Sequence, residues 1–259
     1  MIWLDGYDRT LIAGRSGRPL LGYTHKIPPN KIILHTTEGP TAGGAISHYR
    51  AKMGIHPHLT VDWGRDELHQ HIPLDRASYS VRKLDQTGAI QVEVVGHAAN
   101  TSTWPDERLR WLGEKVIRPI LDAVPTIPPV AQHPFLDSRD GKVSGRKGVA
   151  RLTRARWTAT TGVVGHQHAP YNINWDPGRI PIESILAYAT GATPPPRPVT
   201  KATPPPDRRL TWPERNELGV RSVQRWLGVT ADGKWGPVSA SAFASRIQSY
   251  EQEGDTKSG

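Results

Sequence analysis

The stretch VVGHQHAPYNINWDPG, residues 163–178, carries two histidines two positions apart and an aspartate followed by Pro-Gly. Its first two valines are typical of the end of a buried strand, and the rest is typical of a loop. His166, His168 and Asp176 in so short a loop are compatible with three kinds of chemistry: a metal site, a general-base pair, or ordinary polar contacts within a loop. The loop alone does not decide among them.

His35 offers a distant partner for this loop. It comes near the end of KIILHTT (31–37), whose aliphatic run predicts a buried strand, and strand ends that face a cleft often carry functional groups. A catalytic zinc takes three protein ligands and keeps a fourth position open, and two histidines with one carboxylate are a known set. His35, His166 and Asp176 would supply it. The chain has no cysteine, so any metal site must use His, Asp and Glu.

The elements that must position these residues are strands and helices in alternation. The apolar pattern predicts strands at residues 31–37, 58–63, 67–72 and 89–96, the middle two forming a hairpin around Gly-Arg-Asp. Helical spacing predicts helices at residues 41–54 and 106–124. Pro119 is expected to interrupt or kink the second helix. The predicted fold class is therefore α/β, with a central mixed β-sheet flanked by helices.

The strand at 89–96 alternates, with three aliphatic residues on one face and Gln91 and Glu93 on the other. From the residues alone, a strand face in solvent explains Glu93 better than catalysis does.

Composition narrows the class of protein. With 36% hydrophobic and 22% charged residues over 259 positions, the chain can bury a core, and no apolar run is long enough for membrane insertion. The N-terminus lacks a basic segment followed by an apolar one, so no signal peptide is expected. The net charge of +9 suits polyanions such as nucleic acid, anionic lipid or acidic wall polymers, and equally suits a solubilising surface.

A proline-rich stretch divides the chain. GATPPPRPVTKATPPPD, residues 191–207, holds seven prolines and predicts an extended, semi-rigid linker. We therefore predict a catalytic domain at 1–190, the linker at 191–207 and a small all-α domain at 208–259.

Four motifs in order, KIILHTTEG, HPHLTVD, AIQVEVVG and GHQHAPYNINWDPG, resemble the zinc-dependent N-acetylmuramoyl-L-alanine amidases, the group that includes peptidoglycan recognition proteins. Within this family, the motifs are most similar to those of endolysins from phages that infect actinobacteria. The resemblance covers residues 25–185. It implies a mixed sheet flanked by helices, one bound Zn²⁺, and hydrolysis of the amide between muramic acid and L-alanine in bacterial peptidoglycan.

Carried over by position, the resemblance implies that His35, His166 and Asp176 are the metal ligands and that Glu93 is catalytic. His58 matches a family histidine near the start of the hairpin and is expected in the substrate cleft or behind the ligands. Trp175 is expected to line the cleft.

Two positions depart from the family pattern. The family often has lysine or threonine two positions before the last ligand, where this chain has Asn174, and often aspartate two positions after the second histidine, where it has His168. Asn174 and His168 are both predicted to assist catalysis. Asn174 can donate a neutral hydrogen bond to an oxyanion, and His168 can replace a lost cation. His168 is equally compatible with a plain hydrogen-bonding role in the loop.

The C-terminal segment VQRWLGVTADGKWGP resembles a three-helix peptidoglycan-binding domain. The predicted partner is peptidoglycan rather than nucleic acid, the protein is expected to be a monomer, and the phage resemblance implies synthesis in the host cytoplasm, release by a holin and host lysis. Two alternatives remain: a peptidoglycan-binding protein of the same fold without hydrolysis, and a wall glycosidase, which needs two carboxylates across a cleft.

Overall fold

The computed structural model describes residues 1–14, 16–52, 56–78, 80, 84, 88–137, 150–171 and 174–197, together with 224 and 239–242. The chain divides into two units, Met1–Arg197 and Pro198–Gly259. In the second unit, the Nε2 of buried Gln224 donates to the Oγ of buried Ser239 at 3.0 Å. The predicted three-helix domain and most of the predicted linker otherwise lie outside the described residues, so their boundaries stay predictions.

The described strands of the first unit are β1 (Asp8–Arg9), β2 (Tyr23–Thr24), β3 (Lys31–Thr36), β4 (Leu59–Asp62), β5 (Glu67–Gln70), β6 (Arg76–Ala77), β7 (Ala89–Val94) and β8 (Gly162–Gly165). Six of them form one sheet in the order β1-β5-β4-β7-β3-β8. Strands β4, β7, β3 and β8 run parallel, whereas β4 and β5 form the predicted antiparallel hairpin. The central mixed sheet is thus confirmed. A separate antiparallel pair joins β2 and β6.

The helices are α1 (Ala42–Ala51), α2 (Asp106–Trp111), α3 (Arg118–Ala123), α4 (Arg154–Ala159) and α5 (Ile182–Thr190). The side chain of Thr41 caps α1 by accepting from the N–H of Gly44 at 3.0 Å. Within the described part of the chain, no helix has both the length and the apolar character needed to cross a membrane.

The predicted helix at 106–124 is present, but it changes from α-helical to π-helical and back along its length. A π-helical turn, Leu112–Ile117, joins α2 to α3 immediately before Pro119. Proline has no N–H, so it cannot donate to the carbonyl four residues earlier, which belongs to Lys115. The hydroxyl of Tyr7 donates to that carbonyl instead, at 2.8 Å. The proline therefore coincides with a change of helical pitch rather than with an end of the helix.

The sheet is buried on both faces: all six residues of β3 are buried, and residues 32–34 are an unbroken aliphatic run. Alternate residues such as Ile32, Ile90 and Val92 belong to the larger core that α2, α3 and α5 cover. Ile33 packs on the opposite face with Trp157 of α4. The polar side chains described next lie at one end of that second face.

Candidate active site

Three adjacent strands bring the predicted residues to one edge of the sheet. Strands β7, β3 and β8 are parallel neighbours, so their carboxyl ends lie side by side. His35 pairs in register with Glu93 on β7, and His166 directly follows the last residue of β8. Such an edge is the usual place for a site in sheets of this kind. Residues far apart in the sequence thereby become neighbours.

His35, His166 and Asp176 form a cluster that can bind a metal. One ligand atom from each lies within 4.8 Å of the other two. The Nδ1 atoms of His35 and His166 are 3.0 Å apart. The two carboxylate oxygens of Asp176 lie 3.2 Å from Nδ1 of His35 and 3.3 Å from Nδ1 of His166. All three residues are at most 9% exposed, so the donor atoms are held inside the protein rather than on mobile surface side chains.

The loop that carries Asp176 is fixed by side chains around it. The backbone N–H of Gln167 donates to the carbonyl of Asp176 at 2.8 Å, and its side-chain Nε2 donates to the carbonyl of Gly178 at 2.7 Å. Thr101 donates to the carbonyl of Pro177 at 2.7 Å. Gly178 has φ +69°, and a Cβ there would lie 2.3 Å from the carbonyl oxygen of Ala98, so only glycine fits.

The carboxylates of Asp176 and Glu93 determine which histidine of the cluster carries a proton. Burial lowers the pKa of His35, but the hydrogen bond to Asp176 and the charges of Glu93 and Asp176 outweigh burial and raise the pKa to about 9. The pKa of Asp176 is lowered despite burial because both histidines stabilise its charge. Burial lowers the pKa of His166. Without a metal, the cluster therefore holds a proton on His35 at neutral pH.

Glu93 is the second carboxylate of the cluster. Its Oε1 lies 4.0 Å from Nδ1 of His35. Its other oxygen, Oε2, is buried and accepts no hydrogen bond from the described residues. Burial raises the pKa of Glu93 to about 7; the charge of His35 opposes this rise, and those of Asp176 and Glu38 add to it. A carboxyl group with this pKa can take up and release a proton near neutral pH.

The cluster opens into a cleft of about 380 Å³. The residues that line the cleft are His35, Thr36, Glu38, Tyr49, His56, Pro57, Ser80, Glu93, His166, Asn174, Trp175 and Asp176. Five of the predicted catalytic and metal residues are among them, as is Trp175. A substrate in the cleft would therefore touch the metal cluster and Glu93 together.

Asn174 lies beside His166 at the cleft wall. Its Nδ2 is 3.1 Å from Nδ1 of His166 and 3.3 Å from Nε2 of the same ring. Arg151 donates to the backbone carbonyl of Asn174 at 3.0 Å and so holds this part of the loop. The amide is thus placed next to the metal cluster without being part of it.

His168 is not where a catalytic helper would have to be. His168 lies in the turn that follows β8, is fully buried and is not among the residues that line the cleft. The N–H of Gly165 donates to its Nδ1 at 2.9 Å, and its Nε2 donates to the carbonyl of Pro134 at 3.0 Å. Its ring packs edge-on against Phe135, and burial lowers its pKa to about 4. The prediction of a catalytic His168 is therefore wrong, because a buried neutral ring with both nitrogens paired to backbone groups cannot serve the cleft.

His58 also lies inside the protein rather than in the substrate cleft. It is fully buried and its ring is not among the groups that line the cleft. The N–H of Gln91 donates to its Nδ1 at 2.9 Å, and its Nε2 donates to the carbonyl of Arg76 at 2.6 Å. The expected place of His58 in the substrate cleft is therefore corrected, whereas the alternative place behind the ligands agrees with its contact with Gln91, the neighbour of His35. His56, two residues earlier on the way into β4, lines the cleft wall instead.

One contact of the metal cluster is absent from the sequence prediction. The side-chain Oε1 of Gln91 lies 2.6 Å from Nε2 of His35. The signal was present in the alternation of β7, since Gln91 shares the face of Glu93, but nothing in the sequence tells which strand lies beside β7. Tyr49, from α1, is a further cleft residue that sequence reasoning missed, because its helix reaches the cleft only through the tertiary fold.

Five solved chains resemble this one in structure, and two of them are a phage endolysin and a bacterial hydrolase. The Ph2119 endolysin of a Thermus scotoductus bacteriophage matches 42% of this chain and 74% of its own, at 21% identity and a TM-score of 0.35. The Staphylococcus aureus hydrolase AmiA matches 71% of this chain and 82% of its own, at 17% identity and a TM-score of 0.34. No family model and no curated protein matches the chain. Likenesses at these TM-scores establish neither fold nor function, so the function is inferred from the site itself.

Proposed function

We propose that the protein is a zinc-dependent N-acetylmuramoyl-L-alanine amidase that cuts bacterial peptidoglycan. The observation that carries the proposal is one cleft that holds both a His-His-Asp cluster and a second carboxylate, Glu93, at the ends of adjacent strands. Three of the four sequence motifs that resemble this family supply these four residues, and so support the same substrate.

The donor set suits zinc. Two imidazole nitrogens and one carboxylate oxygen are a ligand set of catalytic zinc sites, which keep one position open. Ligand atoms at tetrahedral positions about 2.0–2.1 Å from zinc lie about 3.3 Å from one another. The two histidine Nδ1 atoms are 3.0 Å apart, and each lies close to a different oxygen of Asp176, Oδ2 at 3.2 Å for His35 and Oδ1 at 3.3 Å for His166, all near that value. His35, His166 and Asp176 would therefore hold the ion with little rearrangement.

The chemistry that zinc supplies when bound is Lewis acidity, which polarises a carbonyl and makes water acidic. Glu93 would take a proton from the attacking water while the water oxygen bonds to the lactyl carbonyl carbon. The same carboxyl would then give that proton to the alanine nitrogen as the carbon–nitrogen bond breaks. The products are a lactyl carboxylate and a free L-alanine amino group. Proton transfer of this kind contributes typically about 10²–10⁴-fold.

The other cleft residues have supporting roles in this proposal. The amide of Asn174 would donate to the oxygen on which negative charge develops, a weaker aid than a cation. Trp175 offers an aromatic wall against the sugar or the peptide. Glu38, at the rim, adds negative charge near Glu93 and so helps to keep its pKa high.

The second unit fits the same activity. Residues 208–259 would bind peptidoglycan, and the proline-rich residues 191–207 would act as a spacer. Tethering to an insoluble substrate raises the local concentration of the catalytic cleft without any new contact in it. In a phage, such an enzyme would be made in the host cytoplasm, reach the wall through a holin and lyse the host.

The test is digestion of purified actinobacterial wall by the full chain, followed by separate assays of new amino groups and new reducing ends. New L-alanine amino termini are expected, with no rise in reducing sugars. The variant Glu93→Gln serves as the matched control, because it removes the proposed base but leaves the three ligands in place. New reducing ends would indicate a glycosidase, and binding to the wall with neither product would indicate a binding protein.

A further inference from the structure

We propose that Gln91 is a positioning residue for the metal cluster: its side-chain carbonyl fixes the ring of His35 so that Nδ1 carries no hydrogen when the metal is bound. This inference rests on the proposed function only in taking zinc as the ion that the cluster holds. Gln91 contacts neither substrate nor metal in this assignment and acts through His35 alone.

The contact with His35 has a defined polarity. Gln91 Oε1 lies 2.6 Å from His35 Nε2, and both side chains are buried. A carbonyl oxygen only accepts, so Nε2 must carry the hydrogen. A neutral imidazole has one N–H, which leaves the lone pair on Nδ1, the atom that faces His166 and Asp176. Metal-binding histidines commonly donate their other N–H to such an acceptor, which fixes the tautomer and the ring orientation.

Gln91 is itself held from behind by His58. The backbone N–H of Gln91 donates to His58 Nδ1 at 2.9 Å, and its carbonyl accepts from the backbone N–H of His58 at 3.1 Å. The ring of His58 is fixed in turn by its 2.6 Å hydrogen bond to the carbonyl of Arg76. The interior histidine thus anchors the strand residue that orients the metal-binding histidine.

Stability alone does not account for a glutamine at this position. Residue 91 is fully buried, and its Nε2 has no hydrogen-bond partner among the described residues. A buried amide with one unpaired end is costly, whereas leucine would fill a similar volume without unpaired polar atoms. The neighbours of Gln91 along β7, Ile90 and Val92, are of that apolar kind. The hydrogen bond to His35 explains why a carboxamide occupies this position, whereas packing alone does not.

The experiment measures zinc affinity of the full chain by competition with a chromophoric chelator. Gln91→Leu and Gln91→Met remove the acceptor, and both are expected to weaken zinc binding about 10–100-fold. Gln91→Glu keeps an acceptor and is expected to bind within about threefold of wild type. Gln70→Leu is the matched control. Gln70 is also a buried strand glutamine, but it bonds to the backbone of residues 2, 4 and 72.

A second readout reports the hydrogen on His35 directly. In cobalt-loaded wild-type protein with ¹⁵N-labelled histidine, the Nε2–H of His35 is expected to exchange slowly with solvent, because a buried carbonyl holds it. The same signal is expected to exchange much faster in Gln91→Leu. The wild-type measurement stands even where a variant does not fold: fast exchange, or an Nδ1–H tautomer, overturns the proposal.

The affinity results separate the two proposals. If folded Gln91→Leu binds zinc as tightly as wild type, or if Gln70→Leu loses as much affinity, Gln91 is not a positioning residue. If the wild-type chain binds zinc but does not cut peptidoglycan, the proposed function fails while the role of Gln91 is still decided by its variants. If the wild-type chain binds no zinc, both proposals fail.

Discussion

Histidines at the edge of the sheet and histidines in its interior differ in their partners rather than in their burial. At the edge, Asp176 and Glu93 raise the pKa of His35 to about 9 although its ring is buried. In the interior, His58 and His168 are paired with backbone groups, and burial lowers their pKa values to about 3 and about 4. Neighbouring carboxylates therefore distinguish a histidine that exchanges protons or metal from one that serves as a fixed hydrogen-bonding group.

The largest expected effect comes from breaking the edge cluster. His35→Ala, or Asp176→Ala, is expected to abolish zinc binding and to lower the rate of amide hydrolysis by about 10³-fold or more, since metal polarisation is worth several kcal/mol. Zinc content by mass spectrometry and release of L-alanine amino termini measure the two effects. Full activity in either variant, or in wild-type protein treated with a strong chelator, contradicts the metal assignment.

Glu93→Gln tests the second carboxylate without removing a ligand. We expect the hydrolysis rate to fall about 10²–10⁴-fold, because the proton acceptor is lost, while zinc affinity remains close to wild type. The comparison with His35→Ala is informative, since the two variants should differ in metal content but agree in low activity. A Glu93→Gln enzyme that retains wild-type activity would assign the proton transfer to another group.

Substitutions of His166 and His168 give the most direct test of the difference between edge and interior histidines. His166→Ala is expected to lose zinc. His168→Ala is expected to keep zinc affinity but to lower the free energy of unfolding by roughly 2–4 kcal/mol, because it leaves a cavity and an unpaired backbone N–H and carbonyl. Urea unfolding and chelator competition on both variants measure this. A loss of zinc in folded His168→Ala would place that ring in the site after all.

A further expected effect is a pH dependence of zinc binding. His35 must lose its proton before Nδ1 can bind a metal, and its pKa of about 9 means that this proton is present at neutral pH. Apparent zinc affinity is therefore expected to fall at least about tenfold per pH unit between pH 8 and pH 6. Chelator competition at each pH gives the slope, and a flat profile would show that His35 carries no such proton.

Because the pKa of His35 is raised in the folded state, the free energy of unfolding of the metal-free protein is also expected to depend on pH. A histidine whose pKa is raised in the folded state stabilises the fold fully below its unfolded pKa of about 6.5. That contribution is lost as the pH rises through about 9. Urea unfolding of the metal-free chain is expected to show it as a decline that is smaller in His35→Ala.

Strand positions could be predicted from the sequence because alternation and aliphatic runs record which face is buried. Strand β3 and the hairpin of β4 and β5 lie where those patterns place them. The winding of the helix around Pro119 could not be predicted, because the carbonyl of Lys115 that the proline leaves without an N–H partner accepts instead from Tyr7, 108 positions away.

In the candidate site, the three metal ligands could be proposed from residue types and the family resemblance. Which of two nearby histidines faces the cleft and which lies in the core could not be predicted. His166 and His168 are two positions apart, and only the turn after β8 sends one ring to the cleft and the other into the core. His56 and His58 show the same ambiguity at the entrance to β4. The contact between Gln91 and His35 depends on β3 and β7 being neighbours, which no local pattern encodes.

The tight fit of Gly178 against Ala98 limits how the cleft can be redesigned. Because even a methyl group would meet the carbonyl of Ala98, the segment around Asp176 and the turn Ala98–Thr103 must change together or not at all. Attempts to alter substrate preference are better directed at the part of the cleft wall lined by Tyr49 and His56, which belong to other segments of the chain. Saturation libraries confined to that wall should yield more folded, metal-binding variants than libraries of equal size placed in the Asp176 loop.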